Sequence, residues 1–318
     1  MLSFDYKRPT TTAEAVNNLQ NGGRVVGGSS DILTLIKERI ETPKHLVDIS
    51  EVKELSKINL SGSTLSIGAT ATITEILDND TIKKNFPILS QAALAIASPQ
   101  IRHVGTIGGN LCQRPRCWYF RNPRFNCYRK GGSSCFAVTG RNEYHAILGG
   151  AGCFMVYPSD LAPALIALGA TAIITGPKGQ RKVAMEKFYI GPLKDITREV
   201  VVEPGELLTS IEVPVPPSGA KMVYKKVRER QAFDFATVSL AMIMAPGFVR
   251  VVLGGVAPIP WRSLDAEKIL QGGTITEDRA QQAGETVTKF ARPMENNGYK
   301  VDLVQGLIRS TALSLAQQ

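Results

Sequence analysis

The first half of the chain alternates between short β-prone runs and segments with apolar residues at helical spacing. Helices are predicted over 12–20, 32–40 and 73–97, the last with breaks near 78–80 and at Pro87. Strands are predicted over 24–26 and 45–49, and a hairpin that turns at Gly62 over 55–67. Such alternation is typical of α/β organisation.

The second half continues this pattern and then changes. Strands are predicted over 146–148, 154–157 and 171–175, with a helix over 160–168 between them. Residues 214–219 contain three prolines, a serine and a glycine, so we place a domain boundary there. Strands over 223–228, 237–245 and 249–256 and helices from 264, over 277–290 and over 301–315 predict an α+β C-terminal domain.

Composition sets broad limits. A chain of 318 residues that is 43% hydrophobic can form one large domain or two modest ones. The N-terminus lacks an apolar signal region and the longest apolar run, 162–174, is too short to cross a bilayer, so no export signal and no membrane span are expected. The net charge of +9 is compatible with nucleic acid, an acidic partner or a polyanionic cofactor.

Two glycine turns could bind an anion. The first glycine turn, residues 27–30, reads Gly-Gly-Ser-Ser between a predicted strand and a helix, and the second, residues 106–110, reads Thr-Ile-Gly-Gly-Asn. Missing side chains and free backbone N–H groups suit a phosphate, and the two turns could share one pyrophosphate. Either turn alone is also compatible with an ordinary tight turn. Neither has Rossmann or P-loop spacing.

All five cysteines lie in residues 112–153, the cysteine segment. Nine residues separate Cys117 from Cys127, seven separate Cys127 from Cys135, and Cys153 follows after seventeen more. The spacing differs from that of a zinc knuckle or a bacterial ferredoxin. Residues 114–141 hold six arginines and Lys130 but no acidic residue, so an anionic four-thiolate iron–sulfur cluster would balance their charge.

Three other interpretations of the segment stay open. Basic residues interleaved with aromatic ones also describe a single-stranded nucleic-acid surface. Four thiolates could instead hold zinc, and individual cysteines could be small buried apolar residues, as expected for Cys112. His103 and His145 are expected to have ordinary hydrogen-bond partners rather than to be ligands.

Five stretches resemble the FAD-binding subunits of the xanthine dehydrogenase and aldehyde oxidoreductase family of molybdenum hydroxylases. They occur in the family's order and are VVGGSSDILTLIK (25–37), ASPQIRHVGTIGGNL (97–111), YPSDLAPAL (157–165), ELLTSIEVPVP (206–216) and YKKVRERQAFDFATV (224–238). The resemblance implies an α+β chain. Its parts would be a two-part FAD-binding domain of the vanillyl-alcohol-oxidase (PCMH) type over 1–218, with subdomains 1–55 and 56–218, and a CO-dehydrogenase flavoprotein C-terminal domain over 219–318.

The resemblance also implies cofactors and their residues. The cysteine segment resembles the extra loop of the bacterial periplasmic aldehyde oxidoreductase flavoprotein subunit and, more loosely, of the 4-hydroxybenzoyl-CoA reductase β subunit, where it holds a [4Fe–4S] cluster. The matching ligands are Cys117, Cys127, Cys135 and Cys153. The FAD-binding positions carried over are Val26, Gly27, Gly28, Ser29, Ser30, Asp31, Ile32, Leu33, Thr106, Gly108, Gly109, Asn110, Asp160, Leu208 and Lys226.

Two of these residues have alternative roles. Asp160 could cap the helix that starts at Leu161, and Lys226 could be a solvated strand residue. The chain has no hydrolytic motif, and the resemblance implies an electron-transfer subunit without catalytic residues of its own. Its expected partners are a molybdenum-cofactor large subunit, a [2Fe–2S] small subunit and an external electron acceptor. Nucleic-acid binding and a stand-alone flavin oxidase are the alternatives. Cytoplasmic residence is the simpler expectation, and export with a partner would place the chain in the periplasm.

Overall fold

The fold is known from a computed structural model that describes residues 1–317. Twelve strands are present in that part of the chain. They are β1 (Asp5–Lys7), β2 (Gly23–Val26), β3 (His45–Asp48), β4 (Ile58–Ser61), β5 (Thr64–Gly68), β6 (Thr171–Gly176), β7 (Gly179–Ala184), β8 (Leu207–Pro214), β9 (Lys221–Val227), β10 (Val238–Ala245), β11 (Phe248–Gly254) and β12 (Trp261–Arg262).

Helices connect and cover these strands. They are α1 (Thr12–Asn18), α2 (Ile32–Lys37), α3 (Ile73–Asp78), α4 (Asp80–Asn85), α5 (Pro87–Leu94), α6 (Pro99–Val104), α7 (Ile107–Leu111), α8 (Trp118–Arg121), α9 (Leu161–Ala167), α10 (Leu264–Gln271), α11 (Glu277–Thr288) and α12 (Tyr299–Gln317). None of the helices within residues 1–317 combines the length and apolar character needed to cross a membrane.

The strands form three separate sheets. A parallel sheet near the N-terminus has the order β1-β3-β2, and an antiparallel five-stranded sheet has the order β4-β5-β8-β6-β7. The C-terminal sheet is antiparallel with the order β12-β11-β10-β9. Separate parallel and antiparallel sheets, with helices packed beside them, make the chain α+β.

Local sequence determines several element ends. Thr11 caps α1, and Thr72 with Glu75 forms a capping box at α3. The breaks expected within 73–97 fall where α3 gives way to α4 and α4 to α5, and Pro87 is the first residue of α5. Helix α2 ends at Lys37 rather than at the expected residue 40, because Arg39 takes a left-handed φ of 55°.

The largest hydrophobic core contains residues from both sides of the predicted domain boundary at 214–219. It combines residues of α3, α5 and α9 with Tyr224, Ala241, Ile243 and Val252 of the C-terminal sheet. A second core lies between that sheet and helices α10, α11 and α12, and two smaller cores lie around the N-terminal parallel sheet. The C-terminal sheet therefore packs on both sides, against its own helices and against the first part of the chain.

The prediction of strands over 146–148 and 154–157 is wrong. These residues are buried or half-buried, which explains their apolar pattern, but they lie in irregular backbone. Left-handed glycines at 149 and 152 interrupt the segment, and the N–H groups of Ile147 and Leu148 both donate to the Val256 carbonyl instead of to a strand. A run of apolar residues indicates that the segment is buried, but it does not show whether the segment pairs with a neighbouring strand.

Candidate functional site

The two glycine turns lie against each other. A Cβ atom added to Gly28 would lie 1.6 Å from the Val104 carbonyl oxygen, and one added to Gly27 would lie 3.1 Å from the Thr106 Oγ1. No side chain fits at residue 28 without separating the turns. The backbone contact therefore requires glycine there, and it brings the two predicted phosphate-binding turns together.

Hydrogen bonds of small polar side chains fix the shape of both turns. Ser29 takes a left-handed φ of 59°, and its hydroxyl donates to the Gly27 carbonyl over 3.2 Å. In the second turn the Gly109 N–H donates to the Thr106 hydroxyl over 3.1 Å, and the Ser159 hydroxyl donates to the Asn110 side-chain oxygen over 2.5 Å. Ser29 thus holds the first turn, whereas the predicted second turn is the start of helix α7, with Thr106 as its N-cap and with Ser159 bonded to it from outside.

Both turns line one central cleft of about 740 Å³. This volume lies within the range usual for cofactor sites. The cleft is lined by the following residues predicted to bind FAD: Gly27, Gly28, Ser29, Ser30, Asp31, Ile32, Thr106, Gly108, Gly109, Asn110, Asp160 and Leu208. The other three do not line it: Val26 is buried in an N-terminal core, Leu33 is exposed, and Lys226 contacts Asp160.

Asp160 and Lys226 form a buried ion pair at the cleft wall. Lys226 Nζ lies 2.7 Å from Asp160 Oδ2, and the two side chains are 3% and 7% exposed. The Tyr224 hydroxyl donates to Asp160 Oδ1 over 2.6 Å. Burial raises the pKa of Asp160, while Lys226 and the Tyr224 hydroxyl act in the opposite direction.

These contacts exclude the two alternative roles, a helix cap for Asp160 and a solvated strand residue for Lys226. The Asp160 carboxylate makes no capping bond to helix α9, because the Ser159 hydroxyl accepts the N–H of Ala162 there. The Lys226 ammonium is not solvated, since it donates to Asp160 and to the Ala95 carbonyl.

The four predicted cluster ligands line one small cavity, the cysteine cavity. Cys117, Cys127, Cys135 and Cys153 meet there together with Tyr119, Phe120, Phe136 and Met155. Cys112 lies elsewhere, in the wall of the central cleft, where burial raises its thiol pKa to about 12. Within residues 1–317 there is no group of three or more His, Cys, Asp or Glu side chains arranged to hold a metal ion.

Backbone hydrogen bonds reach two of the sulfur atoms of this cavity. Burial raises the pKa of Cys117 to about 12, whereas hydrogen bonds from the Phe120 and Tyr119 backbone lower it. The backbone N–H groups of Ala137 and Phe154 act on Cys135 in the same way. Such hydrogen bonds stabilise thiolates and are typical of groups that tune iron–sulfur clusters.

Arg129 brings a positive charge to the same cavity. Its side chain is 1% exposed, and its Nη1 atom donates to Glu199 over 2.7 Å. Burial lowers the pKa of Arg129, but the neighbouring Cys153 and Glu199 raise it overall. Its Nε and Nη2 atoms have no oxygen or nitrogen acceptor in the described part of the chain, and a hydrogen bond to Cys153 contributes to the raised pKa. A buried guanidinium that faces a thiol and has no further acceptor suits an anionic group in the cavity.

The prediction that a cluster must balance the arginines of 114–141 needs correction. Acidic residues from distant parts of the chain reach four of these six arginines, so those four do not depend on a cluster for balance. Asp31 pairs with Arg116 and Arg121, and Glu199 with Arg114 and Arg129. These pairs cannot be recognised in the sequence, because the acidic residues are more than fifty positions away from the arginines along the chain.

His145 is a residue whose surroundings the sequence did not indicate. Its Nε2 atom lies 3.3 Å from Cys117 Sγ, and burial lowers the pKa of the imidazole to about 4. The ring therefore has a hydrogen-bond partner at Nε2, as expected of this residue, whereas its Nδ1 atom has none among residues 1–317. His145 and Cys117 also border a second cavity of about 260 Å³, which shares Arg116, Asp160 and Phe235 with the central cleft.

Two family models match the chain. The FAD-binding domain in molybdopterin dehydrogenase covers residues 2–216, and the CO dehydrogenase flavoprotein C-terminal domain covers residues 222–315. Together they account for nearly the whole sequence, and the central cleft lies mainly within the first.

Known proteins resemble the chain along its full length. The aldehyde oxidoreductase FAD-binding subunit PaoB of Escherichia coli K12 is 37% identical, over 98% of this chain and 97% of that protein. The carbon monoxide dehydrogenase medium chain of Afipia carboxidovorans is 32% identical, over 90% and 87%.

A solved structure shares the fold. The cyanide-inactivated form of Cu,Mo-CO dehydrogenase matches with a TM-score of 0.77 and 28% identity, covering 99% of both chains. With the family models and the relatives, this similarity identifies the chain as a member of the molybdenum hydroxylase family of oxidoreductases, as an FAD-binding subunit with a CO dehydrogenase flavoprotein C-terminal domain.

Proposed function

We propose that this chain is the electron-transfer flavoprotein subunit of a three-subunit aldehyde-oxidising molybdenum hydroxylase. The observation that carries the proposal is the contact between two glycine turns that line one cleft of cofactor size. The similarity to an aldehyde oxidoreductase subunit favours an aldehyde as the substrate of the complex.

Each part of the cleft has a role in this proposal. The first glycine turn presents backbone N–H groups to the FAD pyrophosphate. In the second, residues 107–110 donate their N–H groups within the chain, and this turn completes the wall of the site beside the first. Leu208 provides an apolar contact, and the Asp160–Lys226 pair places a fixed charge distribution beside the flavin. FAD supplies the redox chemistry, and the protein binds it, orients it and tunes its potential.

The proposed partners follow from this role. A molybdenum-cofactor large subunit oxidises the substrate, a [2Fe–2S] small subunit passes electrons to this chain, and an external acceptor receives them. We place the FAD-binding domain at 1–218, with subdomains 1–55 and 56–218, and the C-terminal domain at 219–318. Neither nucleic acid nor a membrane takes part. The compartment is the cytoplasm, or the periplasm if a partner carries the chain across.

We further propose that Cys117, Cys127, Cys135 and Cys153 hold a [4Fe–4S] cluster. They line one cavity, N–H groups point at two of their sulfurs, and Arg129 supplies buried donors beside them. The lack of a site for a single metal ion within residues 1–317 is compatible with this proposal, since the thiolates around a four-iron cluster bind different iron atoms and stand further apart than the ligands of one ion. The cysteine segment, residues 112–153, is thus the part of the chain that binds the cluster.

Purification of the native complex tests both proposals. We expect a flavin spectrum, iron and acid-labile sulfide, and aldehyde oxidation that the isolated chain lacks. Aldehyde turnover by the isolated chain would favour the stand-alone flavin oxidase. Zinc in place of iron, with salt-sensitive binding to single-stranded DNA, would favour the nucleic-acid alternative. The pairing of Arg114, Arg116 and Arg121 with acids argues against that alternative.

A further inference from the structure

An ion-pair network joins the first glycine turn to the cysteine segment. Asp31 directly follows that turn, and its Oδ1 atom accepts from Arg121 over 2.6 Å and lies 3.2 Å from Arg116. The Asp31 Oδ2 atom accepts the backbone N–H of Arg114 over 2.9 Å. The carboxylate beside the proposed phosphate site is therefore held entirely by residues of the cysteine segment.

Arg121 carries most of this connection. Its Nη1 atom donates to the Thr34 hydroxyl over 3.0 Å and its Nε atom to the Pro115 carbonyl over 2.6 Å. The Arg121 N–H donates to the Cys117 carbonyl over 2.9 Å, since helix α8 begins directly after that cysteine. One side chain thus connects a proposed cluster ligand, through a single helical turn, to two residues that follow the first glycine turn.

A second branch runs along the wall of the central cleft. Arg129 in the cysteine cavity pairs with Glu199 over 2.7 Å, and Glu199 lies 2.9 Å from Arg114 Nε. Arg114 in turn pairs with Glu41 over 2.8 Å. Glu41, Glu199 and Arg114 all line the cleft, so the network extends from the cysteine cavity to the FAD site without a gap.

The backbone conformation of the first glycine turn explains why its connection to the cysteine segment matters for FAD binding. Ser29 holds a left-handed conformation that costs free energy for a residue with a side chain, so the surroundings must keep it in place. An unpaired Asp31 carboxylate would also repel the FAD phosphates. Its contacts with Arg121 and Arg116 remove much of that repulsion and fix the position of the turn.

We propose that Arg121 is a positioning residue through which the folded cysteine segment strengthens FAD binding. The inference rests on the proposed FAD and cluster functions. Arg121 holds Asp31 and Thr34, and cluster assembly at Cys117 fixes the helical turn that carries Arg121. FAD affinity and cluster occupancy are then linked, and the loss of either one weakens the other.

The test compares Arg121→Met with Arg124→Met in the native complex. Arg124 lies in the same segment, is exposed, and makes no ion pair within residues 1–317, so it is the matched control. After removal of FAD, the affinity for added FAD is measured by flavin fluorescence. We expect Arg121→Met to raise the Kd about tenfold, which corresponds to about 1.4 kcal/mol. Arg124→Met should leave it unchanged.

A second arm tests the linkage and does not depend on that variant folding. Removing iron from the wild-type complex with a chelator should raise the FAD Kd, and Thr34→Val, which removes one acceptor of Arg121, should raise it about twofold to threefold. An unchanged Kd in Arg121→Met, or in both Thr34→Val and the iron-free complex, overturns the inference while the proposed function stands. A wild-type complex that binds no FAD overturns the proposed function itself.

Discussion

At the scale of single residues, the molecule is most constrained where two backbones touch. Gly28 approaches Val104 so closely that even one carbon atom would have to push the two glycine turns apart. The sequence alone showed two glycine-rich turns of ordinary type. Their mutual contact depends on how α6 ends at Val104, a property of the tertiary structure.

Replacement of Gly28 should therefore damage the site. We expect Gly28→Ala to raise the FAD Kd by at least about tenfold and to lower the free energy of unfolding by about 1–3 kcal/mol. Flavin fluorescence and urea unfolding measure the two effects. Gly191→Ala is the control, because a Cβ at residue 191 would meet nothing within 4 Å. Wild-type FAD affinity in Gly28→Ala would contradict the proposed site.

The buried Asp160–Lys226 pair makes a sharper prediction about charge. Removal of the ammonium leaves a buried carboxylate without its cation, so Lys226→Met should lower the free energy of unfolding by about 3–5 kcal/mol. Lys225→Met changes the neighbouring residue of strand β9 and should have an effect of less than about 1 kcal/mol. Equal effects in chemical denaturation would show that the pair is not buried as described.

Lys300 predicts a pH dependence of stability. Burial lowers its pKa from 10.5 to about 7, and its ammonium contacts the Tyr144 and Gly255 carbonyls. Between pH 7 and 10 the unfolded chain binds this proton and the folded chain does not, so this group makes stability rise with pH, by up to about 1.4 kcal/mol per unit. Below pH 7 the contribution is constant. Lys300→Met should remove this slope from urea unfolding followed at several pH values, and an unchanged slope would contradict the assignment.

At the scale of elements, periodicity predicted the regular structure well and the irregular structure poorly. The hairpin β4-β5, the helices α3 to α5 and the C-terminal elements occur where apolar spacing and breaking residues indicated them. Residues 140–159 have no regular pattern, because their N–H groups donate to separate loops, including that of Val256. The gathering of four cysteines around one cavity depends on this irregular backbone. The basic residues around the cysteines and the family resemblance indicated it, whereas periodicity did not.

The cysteine segment offers a test of the ligand set. We expect Cys127→Ser and Cys135→Ser to lower the iron content by about four atoms per complex, the content of one [4Fe–4S] cluster, because both side chains line the cysteine cavity. Cys112→Ser should leave the iron unchanged, since Cys112 lies in the central cleft instead. Iron and acid-labile sulfide assays on purified complexes measure the difference. Loss of iron in Cys112→Ser, with iron retained in Cys153→Ser, would reverse the assignment.

At the scale of the whole molecule, the central cleft lies where several units meet. Its walls come from the N-terminal parallel sheet, from the α6–α7 region, from the cysteine segment and from residues 233–235, which follow strand β9 of the C-terminal sheet. The shared core around α5, α9 and Tyr224 holds the C-terminal sheet against the first part of the chain. Such a site cannot be read from any one motif, whereas the order of five motifs along the chain was sufficient to indicate the family.

The proposed FAD site is tested most directly by the FAD content of the natively purified complex. Flavin released by denaturation is measured by absorbance against the amount of this chain, for the wild type and for Gly28→Ala. We predict stoichiometric FAD in the wild type and a strongly reduced amount in Gly28→Ala. A wild-type complex without flavin, or a Gly28→Ala complex with as much FAD as the wild type, would contradict the proposed site.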